Sequence, residues 1–228
     1  MTEALLALEL PELDILFVDD ESPDGTGRIA DQLTNEYPGH VHVLHRTGQR
    51  GLGRAYVDGF GWALENGAEA VVQMDCDFSH SPGDVPRLLE HLSNYDVVVG
   101  SRYVKGGSTD DEWELGRLLL SWWANHYTRL ILQSPIRDVT AGFKAWRRET
   151  LLGIDLDAIR SQGYVFQVEM AYVADRLGYS TLEIPIYFED RRIGQSKMTM
   201  PVKVEAALGV WKIWWRHHHL RPSDRQAP

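Results

Sequence analysis

At 228 residues the chain is long enough for one α/β domain with a substantial core. Its 33 acidic against 23 basic residues give a formal charge of −10, which excludes a general nucleic-acid binder and requires any anionic partner to be met locally. A single cysteine, Cys76, excludes an internal disulfide and a cysteine-based zinc cluster, and no apolar run reaches the length of a membrane span.

The opening MTEALLALELPELD carries acids where a secretory leader carries bases, so the chain reads as cytoplasmic or peripheral to a membrane. ILFVDD (15–20) then reads as a buried strand and TGRIADQLTNEY as a helix closed near Pro38 and Gly39. HVHVLHR is a strand, GLGRAYVDGFGWALENG a helix with Gly67 past its end, and AEAVVQMD a strand. SPGDVPRLLEHL is a helix and YDVVVGSR a strand again. Strands alternating with helices of this length imply a mostly parallel sheet covered on both faces, with ligands bound beyond the carboxyl ends of the strands. Those ends carry Asp19 and Asp20, Arg46, Asp75 and Asp77, and Arg102. No repeat or linker interrupts them, and only RPSDRQAP at the C-terminus reads as a loose tail.

VVQMDCDFSH (71–80) is the most chemically specific stretch. Side chains at i and i+2 of a strand share a face, so Asp75 and Asp77 can reach one ion, and hard oxygen ligands suit Mg²⁺ or Mn²⁺ with substrate phosphates completing the shell. A simple loop cap is the competing reading of the tripeptide; its place between an apolar run and a helix opened by Pro82 favours the metal. VDDESPDGTG puts two acids at a strand end, and neither a dinucleotide fingerprint nor a Walker pattern is present. RTGQRGLGRAYVDGF offers glycines, Gly51 among them, for close backbone approach at a helix start; alone it reads as a tight turn. FEDRRIGQSKM gathers Arg191, Arg192 and Lys197 around a glycine, either as a diphosphate clamp or as a solvated basic turn. GYVFQVEMAYVADRLG reads as a core helix carrying Glu169.

In this order the blocks VDDESPDGTG, RTGQRGLGRAYVDGF, QMDCDFSHSP, GSRYVKGG, DVTAGFKAWRRETL, GYVFQVEM and IPIYFEDRRIGQSKM resemble the dolichyl-phosphate (polyprenol-phosphate) mannose synthases of glycosyltransferase family 2. The resemblance runs from about Leu13 to Met198. It implies a GT-A fold and inverting transfer of mannose from GDP-mannose to a polyprenyl monophosphate. It also implies that Asp75 and Asp77 hold Mg²⁺ or Mn²⁺ on the sugar diphosphate and that Asp19 or Asp20 contacts the nucleoside. Gly51, Arg191 and Lys197 join these on the donor side, while Arg102, Arg117 and Ser121 fall at the acceptor phosphate. Asp75, Asp77, Arg102, Arg117 and Arg191 form the implied catalytic set.

The chemistry agrees with this residue set. A polyprenyl phosphate is already an anion near pH 7 and needs no strong base, so the protein must align the reactants and offset charge on the departing nucleotide. Glycoside hydrolysis is disfavoured, because carboxylates this close cannot flank a glycosidic bond. Two further readings stay open: a related enzyme using UDP-glucose or another sugar nucleotide, and a non-catalytic binding form.

A lipid acceptor requires a membrane surface. LLLSWWANHYT (118–128) is free of formal charge and rich in aromatics, too short to span but suited to lie at an interface. PVKVEAALGVWKIWWR (201–216) has a polar line at Glu205, Gly209, Lys212 and Arg216 and a broad apolar remainder with three tryptophans. Membrane contact and packing of Val204, Leu208, Trp211 and Trp215 on the body are both open. From Arg191 to Arg221 there are seven basic residues and one acidic, an excess suited to anionic lipid. His217 to His219 read as a solvated tail. The expected organisation is a catalytic domain at 1–198, an amphipathic helix at 199–220 and a tail at 221–228, on the cytoplasmic face of a membrane, with an anchoring partner protein as one further possibility. The family's opening strand and its Pro-Thr-Tyr-Asn-Glu-type segment have no counterpart in the first residues, so a missing central strand is expected, through an upstream start or a truncation.

Overall fold

The structure is a computed structural model that describes residues 1–10, 12–48, 50–110, 115–189 and 200–227, apart from the side chains of 115, 117 and 200–205. In chain order the elements are helix α1 (Thr2–Leu6), strand β1 (Ile15–Asp19), helix α2 (Thr26–Glu36), strand β2 (Val41–His45) and helix α3 (Leu52–Glu65). Strand β3 (Ala70–Gln73), helix α4 (Val85–His91), strand β4 (Val97–Ser101), the short strand β5 (Ser108–Thr109) and helix α5 (Leu115–Leu132) follow. Strand β6 (Lys144–Arg147), helices α6 (Arg148–Gly153) and α7 (Val165–Arg176), strands β7 (Thr181–Pro185) and β8 (Tyr187–Phe188) and helix α8 (Met200–His217) complete it.

The expected α/β architecture is present, and β6 supplies the antiparallel member of its sheet. β1 pairs with β2 in parallel, and β4 pairs with β7 in parallel. β6 runs antiparallel between β3 and β4, giving the order β3-β6-β4-β7. Among the described residues the β1–β2 pair and the four-stranded sheet share no ladder, so β1 and β3 are each paired on one side only.

Burial on both faces follows from period-two alternation along β4 and β6. Val97 and Val99 with Trp146 meet Phe60 of α3 and Phe166 and Met170 of α7 on one face. Val98 with Ala145 and Phe143 meets Val85 and Leu88 of α4 on the other. Leu5 of α1 and Ile15 join that second layer. A third apolar cluster joins Leu132 of α5, Val168 and Tyr172 of α7, and Val210 and Ile213 of α8.

Glu169 fixes these last helices to the body. Its carboxylate is buried and accepts the backbone N–H groups of Arg160 (3.0 Å) and Ser161 (2.6 Å), the Arg216 guanidinium and the His217 Nε2 (2.8 Å). Burial alone would push this carboxyl up, but the hydrogen bonds from His217 and Ser161 override it and hold it at about 2. His217 is therefore a buried partner at the end of α8, not part of a solvated tail. The last residues are docked as well: Arg225 donates to the carbonyls of Leu177 and Gly178, both at 2.8 Å, and lies over the Tyr179 ring.

The 160–162 segment that Glu169 holds lies against the start of α3. A Cβ at Gly53 would overlap the Ser161 carbonyl oxygen, and Gly51, at φ +136°, meets the Gln162 side chain. Gly61, on the same helix, has nothing within 4 Å of a built Cβ.

Two stability outcomes follow. Glu169→Gln leaves a cationic side chain unmatched in the interior, with an expected cost of about 3 kcal/mol read as a fall in Tm of several degrees. Because the folded carboxyl lies below its unfolded value of 4.5, its contribution is complete above about pH 4.5 and is lost as pH falls towards 2, so wild type and variant converge in acid melts. An unchanged Tm difference between pH 7 and pH 3 would contradict this. Gly53→Ala should cost roughly 1–3 kcal/mol by forcing the Ser161 backbone away. Gly61→Ala should be neutral or stabilising by up to about 1 kcal/mol, and chemical denaturation of the pair checks both signs.

Candidate active site

The acids and arginines singled out by sequence do fall at strand ends, and the structure shows what holds them there. Asp19 closes β1, and its buried carboxylate accepts the Ser22 N–H (3.2 Å) and lies 3.5 Å from His45 Nδ1. Asp20, the next residue, is bridged by Arg46 just past β2 and accepts the Gly51 N–H at 2.8 Å. Arg46 continues to Asp58 of α3 (2.6 Å). Asp20 and Gly51, both read as donor-binding, are thus in direct contact, and one arginine braces the loop that carries them.

Asp75 and Asp77 lie two and four residues beyond the end of β3, in the loop that follows it, so their common location is set by the loop instead of strand pleating. Both are half-buried and Cys76 between them is exposed. The loop is organised by its own side chains. Asp75 donates its backbone N–H to His80 Nδ1 (3.1 Å), and Asp77 accepts from the Ser79 backbone N–H (3.1 Å) and hydroxyl. Phe78 takes a left-handed φ of 64°. The accepted bond at Nδ1 requires a neutral His80 with its proton on Nε2. Burial and the nearby Arg102 charge push its pKa down to about 4, consistent with that tautomer. The ring stacks on Phe143 at 5.0 Å and meets Phe188 edge-on at 5.4 Å. At Gly142 a built Cβ would lie 3.9 Å from Asp75 Oδ2 and 3.4 Å from the His80 ring, so a glycine keeps this approach open.

Behind the acidic loop lies a buried polar chain that the sequence did not reveal. Gln73, the last residue of β3, donates to the Gly142 carbonyl (3.0 Å) and to Gln167 Oε1 (2.6 Å), and accepts from Trp146 Nε1 (2.9 Å). Lys144 of β6 is fully buried and donates to Ala141 O and to Gln167 Oε1 (2.9 Å). Burial, with Arg102 adding repulsion, pushes its pKa down to about 7.

On the other side, Arg102 just past β4 forms a two-point pair with Asp138: Nε to Oδ2 at 2.8 Å and Nη2 to Oδ1 at 2.7 Å. Burial would raise the Asp138 carboxyl; Arg102 overrides it and holds it below the usual carboxylate range. Arg102 also donates to Thr140, which Asn125 of α5 contacts at 3.2 Å, and its guanidinium sits over the Tyr103 and Phe188 rings. Tyr103 in turn donates to Ser121 Oγ at 2.8 Å. Arg102 and Ser121, both read as acceptor-side, are therefore joined through Tyr103 and through Thr140 and Asn125. The Arg117 side chain, Arg191 and Lys197 lie outside the described residues. Asp138 and Gln73 each open a motif block and His80 and Lys144 fall inside those blocks, which was the only sequence signal for the four; no role was read for any of them.

The two helices with interfacial character each bury one apolar side in the third cluster and leave further large apolar residues exposed. On α8, Leu208 (58 %), Trp211 (49 %) and Trp215 (71 %) are exposed, whereas Gly209 packs on Val165 and Arg216 reaches Glu169. Part of the expected polar line thus faces the body, and the tryptophan stripe is not core. On α5, Leu119, Trp122, Trp123 and Leu130 are exposed while Asn125 and Thr128 are buried. Trp123 stacks on Tyr127, whose hydroxyl donates to Ala207 O and accepts from Trp211 Nε1 (both 3.1 Å), so the two faces adjoin. Among the described residues no helix is long and apolar enough to cross a membrane.

Comparison with known proteins agrees with this architecture. The chain is 48 % identical over 214 residues to an undecaprenyl-phosphate mannosyltransferase of Micrococcus luteus, covering 93 % of this chain and 87 % of the relative. It is equally 48 % identical over 214 residues to a polyprenol monophosphomannose synthase of Mycolicibacterium smegmatis, covering 92 % and 80 %. The crystal structure of glucosyl-3-phosphoglycerate synthase from Mycobacterium tuberculosis in complex with Mn²⁺, UDP-glucose and phosphoglyceric acid superposes with a TM-score of 0.62 at 16 % identity, over 87 % of this chain and 67 % of that one, a likeness of fold. Residues 1–155 match the model of glycosyl transferase family 2, and with that match and those relatives the chain belongs to that family.

Proposed function

We propose that this chain transfers mannose from GDP-mannose to a polyprenyl monophosphate, inverting the anomeric carbon, at a membrane surface. The observation that carries the reading is the 48 % identity, across most of both chains, to proteins named for mannosyl transfer to undecaprenyl phosphate and for polyprenol monophosphomannose synthesis. The site geometry supports it. The Asp20–Gly51 contact offers a braced pocket edge for the nucleotide. Asp75 and Asp77 present oxygen donors in a loop kept in place by His80 and Ser79, and Gly142 leaves room in front of Asp75.

Those donors suit Mg²⁺ or Mn²⁺, which when bound would supply positive charge to the donor diphosphate. Among the described residues no group of three or more His, Cys, Asp or Glu side chains is placed to hold a metal, so substrate oxygens and water would complete the shell around the two aspartates. Arg102 is neutralised by Asp138, and its role towards the acceptor is orientation by the remaining N–H groups more than net charge. Ser121, with its oxygen already receiving the Tyr103 proton, is left with its own hydroxyl proton to donate to a phosphate oxygen. Arg117, Arg191 and Lys197 are assigned the remaining phosphate charge. The acceptor phosphate attacks without a base because it is already ionised.

The outward apolar residues of α5 and α8 support peripheral binding on a membrane, on its cytoplasmic face where the lipid-linked acceptor would be met, with α8 as one of two contact helices.

A transfer assay offering GDP-mannose, UDP-glucose and UDP-galactose with a polyprenyl phosphate tests the donor; product from GDP-mannose alone is expected, and product from a uridine donor alone would overturn the assignment. Asp75→Asn and Asp77→Asn should each lower transfer by at least 100-fold with an unchanged melting curve, and EDTA should do the same to wild type. Full activity in EDTA would remove the metal from the scheme. For the membrane, the Leu208→Ser, Trp215→Ser double variant should bind phospholipid vesicles at least tenfold more weakly while keeping its Tm. Equal sedimentation with vesicles would exclude the α8 face as the contact.

A further inference from the structure

Next to the Tyr103–Ser121 contact lies a cavity of about 350 Å³ lined by Tyr103, Trp122, Asn125, His126, Arg129 and Arg137. It brings together two guanidinium groups that nothing in the described structure matches. Neither Arg129 nor Arg137 has a side-chain hydrogen bond or ion pair among the described residues, and the Arg129 Nε is buried without a partner. A buried donor left unmade is costly, which makes an acceptor from outside the chain the economical solution. Two carboxylates on adjoining segments are already committed. Asp138 serves Arg102, and Glu183 accepts the backbone N–H groups of Arg137 (2.7 Å) and Asp138 (2.9 Å).

The surroundings narrow the chemistry of that acceptor. Trp122 forms one wall and also belongs to the outward apolar stripe of α5, with His126 stacked on it at 5.4 Å and nearly parallel. The cavity therefore opens where an aromatic surface gives way to cations, the arrangement that a phosphate at the boundary between lipid tails and water would meet. Paired guanidinium forks match tetrahedral phosphate oxygens, and Asn125 adds a polar group at the inner wall.

We propose that this cavity binds the phosphate group of a lipid, held by Arg129 and Arg137 beside the Ser121 site. The inference rests on the reading of α5 as a membrane-facing helix. Two sources share this chemistry: the phosphodiester of an anionic phospholipid in the surrounding leaflet and the phosphomonoester of the polyprenyl acceptor.

The test uses probes that need no membrane. Calorimetric titration with dihexanoyl phosphatidylglycerol, kept monomeric, should show saturable binding that dihexanoyl phosphatidylcholine lacks. The Arg129→Gln, Arg137→Gln double variant should bind it at least tenfold more weakly with KM for farnesyl phosphate unchanged, if the phospholipid is the source. A tenfold rise in KM for farnesyl phosphate with phosphatidylglycerol titration unaffected supports the proposal with the acceptor as the source. If both constants stay within twofold of wild type, the cavity is not a lipid-phosphate site. Should the double variant melt early, the single Arg137→Gln variant, altered at an exposed side chain, carries the same comparison with an expected threefold effect. Vesicle sedimentation of wild type separates the two readings: phosphatidylglycerol binding without vesicle binding removes the membrane reading and keeps the site. Vesicle binding unaffected by the arginine changes, with no phosphatidylglycerol titration and unchanged KM, does the reverse.

Discussion

The buried pair between Arg102 and Asp138 is the constraint on which the acceptor side of the structure depends. Asp138 has no exposed side-chain surface and Arg102 only 11 %, so both charges have left water at considerable cost, recovered only if the geometry is nearly ideal. The two-point contact supplies that geometry, and the Arg102 backbone N–H adds a third bond to the same carboxylate. Because the pair joins the end of β4 to the segment after α5, its position fixes Thr140, through it Asn125, and so the inward face of α5. The same segment is held from the other side by Glu183 of β7. The placement of Ser121 is thus a consequence of how one ion pair is packed.

A second set of constraints works through Glu169 and reaches the donor side. One carboxylate receives the end of α8 and the amides of Arg160 and Ser161, and that segment lies against Gly51 and Gly53 at the start of α3. Gly51 in turn meets Asp20. The helix with the exposed tryptophans and the loop read as contacting the nucleotide are therefore connected by a short path in which polar contacts at Glu169 and Asp20 flank close packing of the 160–162 segment on Gly51 and Gly53. Such a path permits coupling between surface contact and donor pocket, although coupling itself requires an element with two discrete arrangements.

Much of this was legible in the chain. β1, β2 and β4 are runs of β-branched and apolar residues closed by acids or arginine, and α2, α3 and α4 follow from apolar spacing with glycine or proline at their ends. What was not legible has a common physical cause. β6 reads Lys-Ala-Trp-Arg, a pattern no strand rule selects, because its lysine is satisfied by Ala141, Gln167 and burial supplied from other elements. Asp75 and Asp77 were identified as residues but placed on a strand, whereas the strand stops at Gln73 and the loop is shaped by His80 and Ser79. Asp138 and His217 looked like any other polar residues, and Glu169 was placed on a core helix without its partners, since only a partner distant in sequence makes a buried charge tolerable.

The outward helices show the same principle in reverse. Amphipathic spacing on 201–216 identifies two faces but not which one meets the body. The polar face is drawn inward at Arg216 because Glu169 waits there, and at Gly209, which packs on Val165 so closely that an added Cβ would lie 3.0 Å from its Cγ1. With that side fixed, Leu208, Trp211 and Trp215 have no choice but to face out. A monomeric protein seldom leaves so many large apolar groups contiguous and exposed, and here they adjoin those of α5 through the Tyr127 hydroxyl. The buried carboxylate that stabilises the interior is thus also what orients the surface on which a lipid substrate would be met.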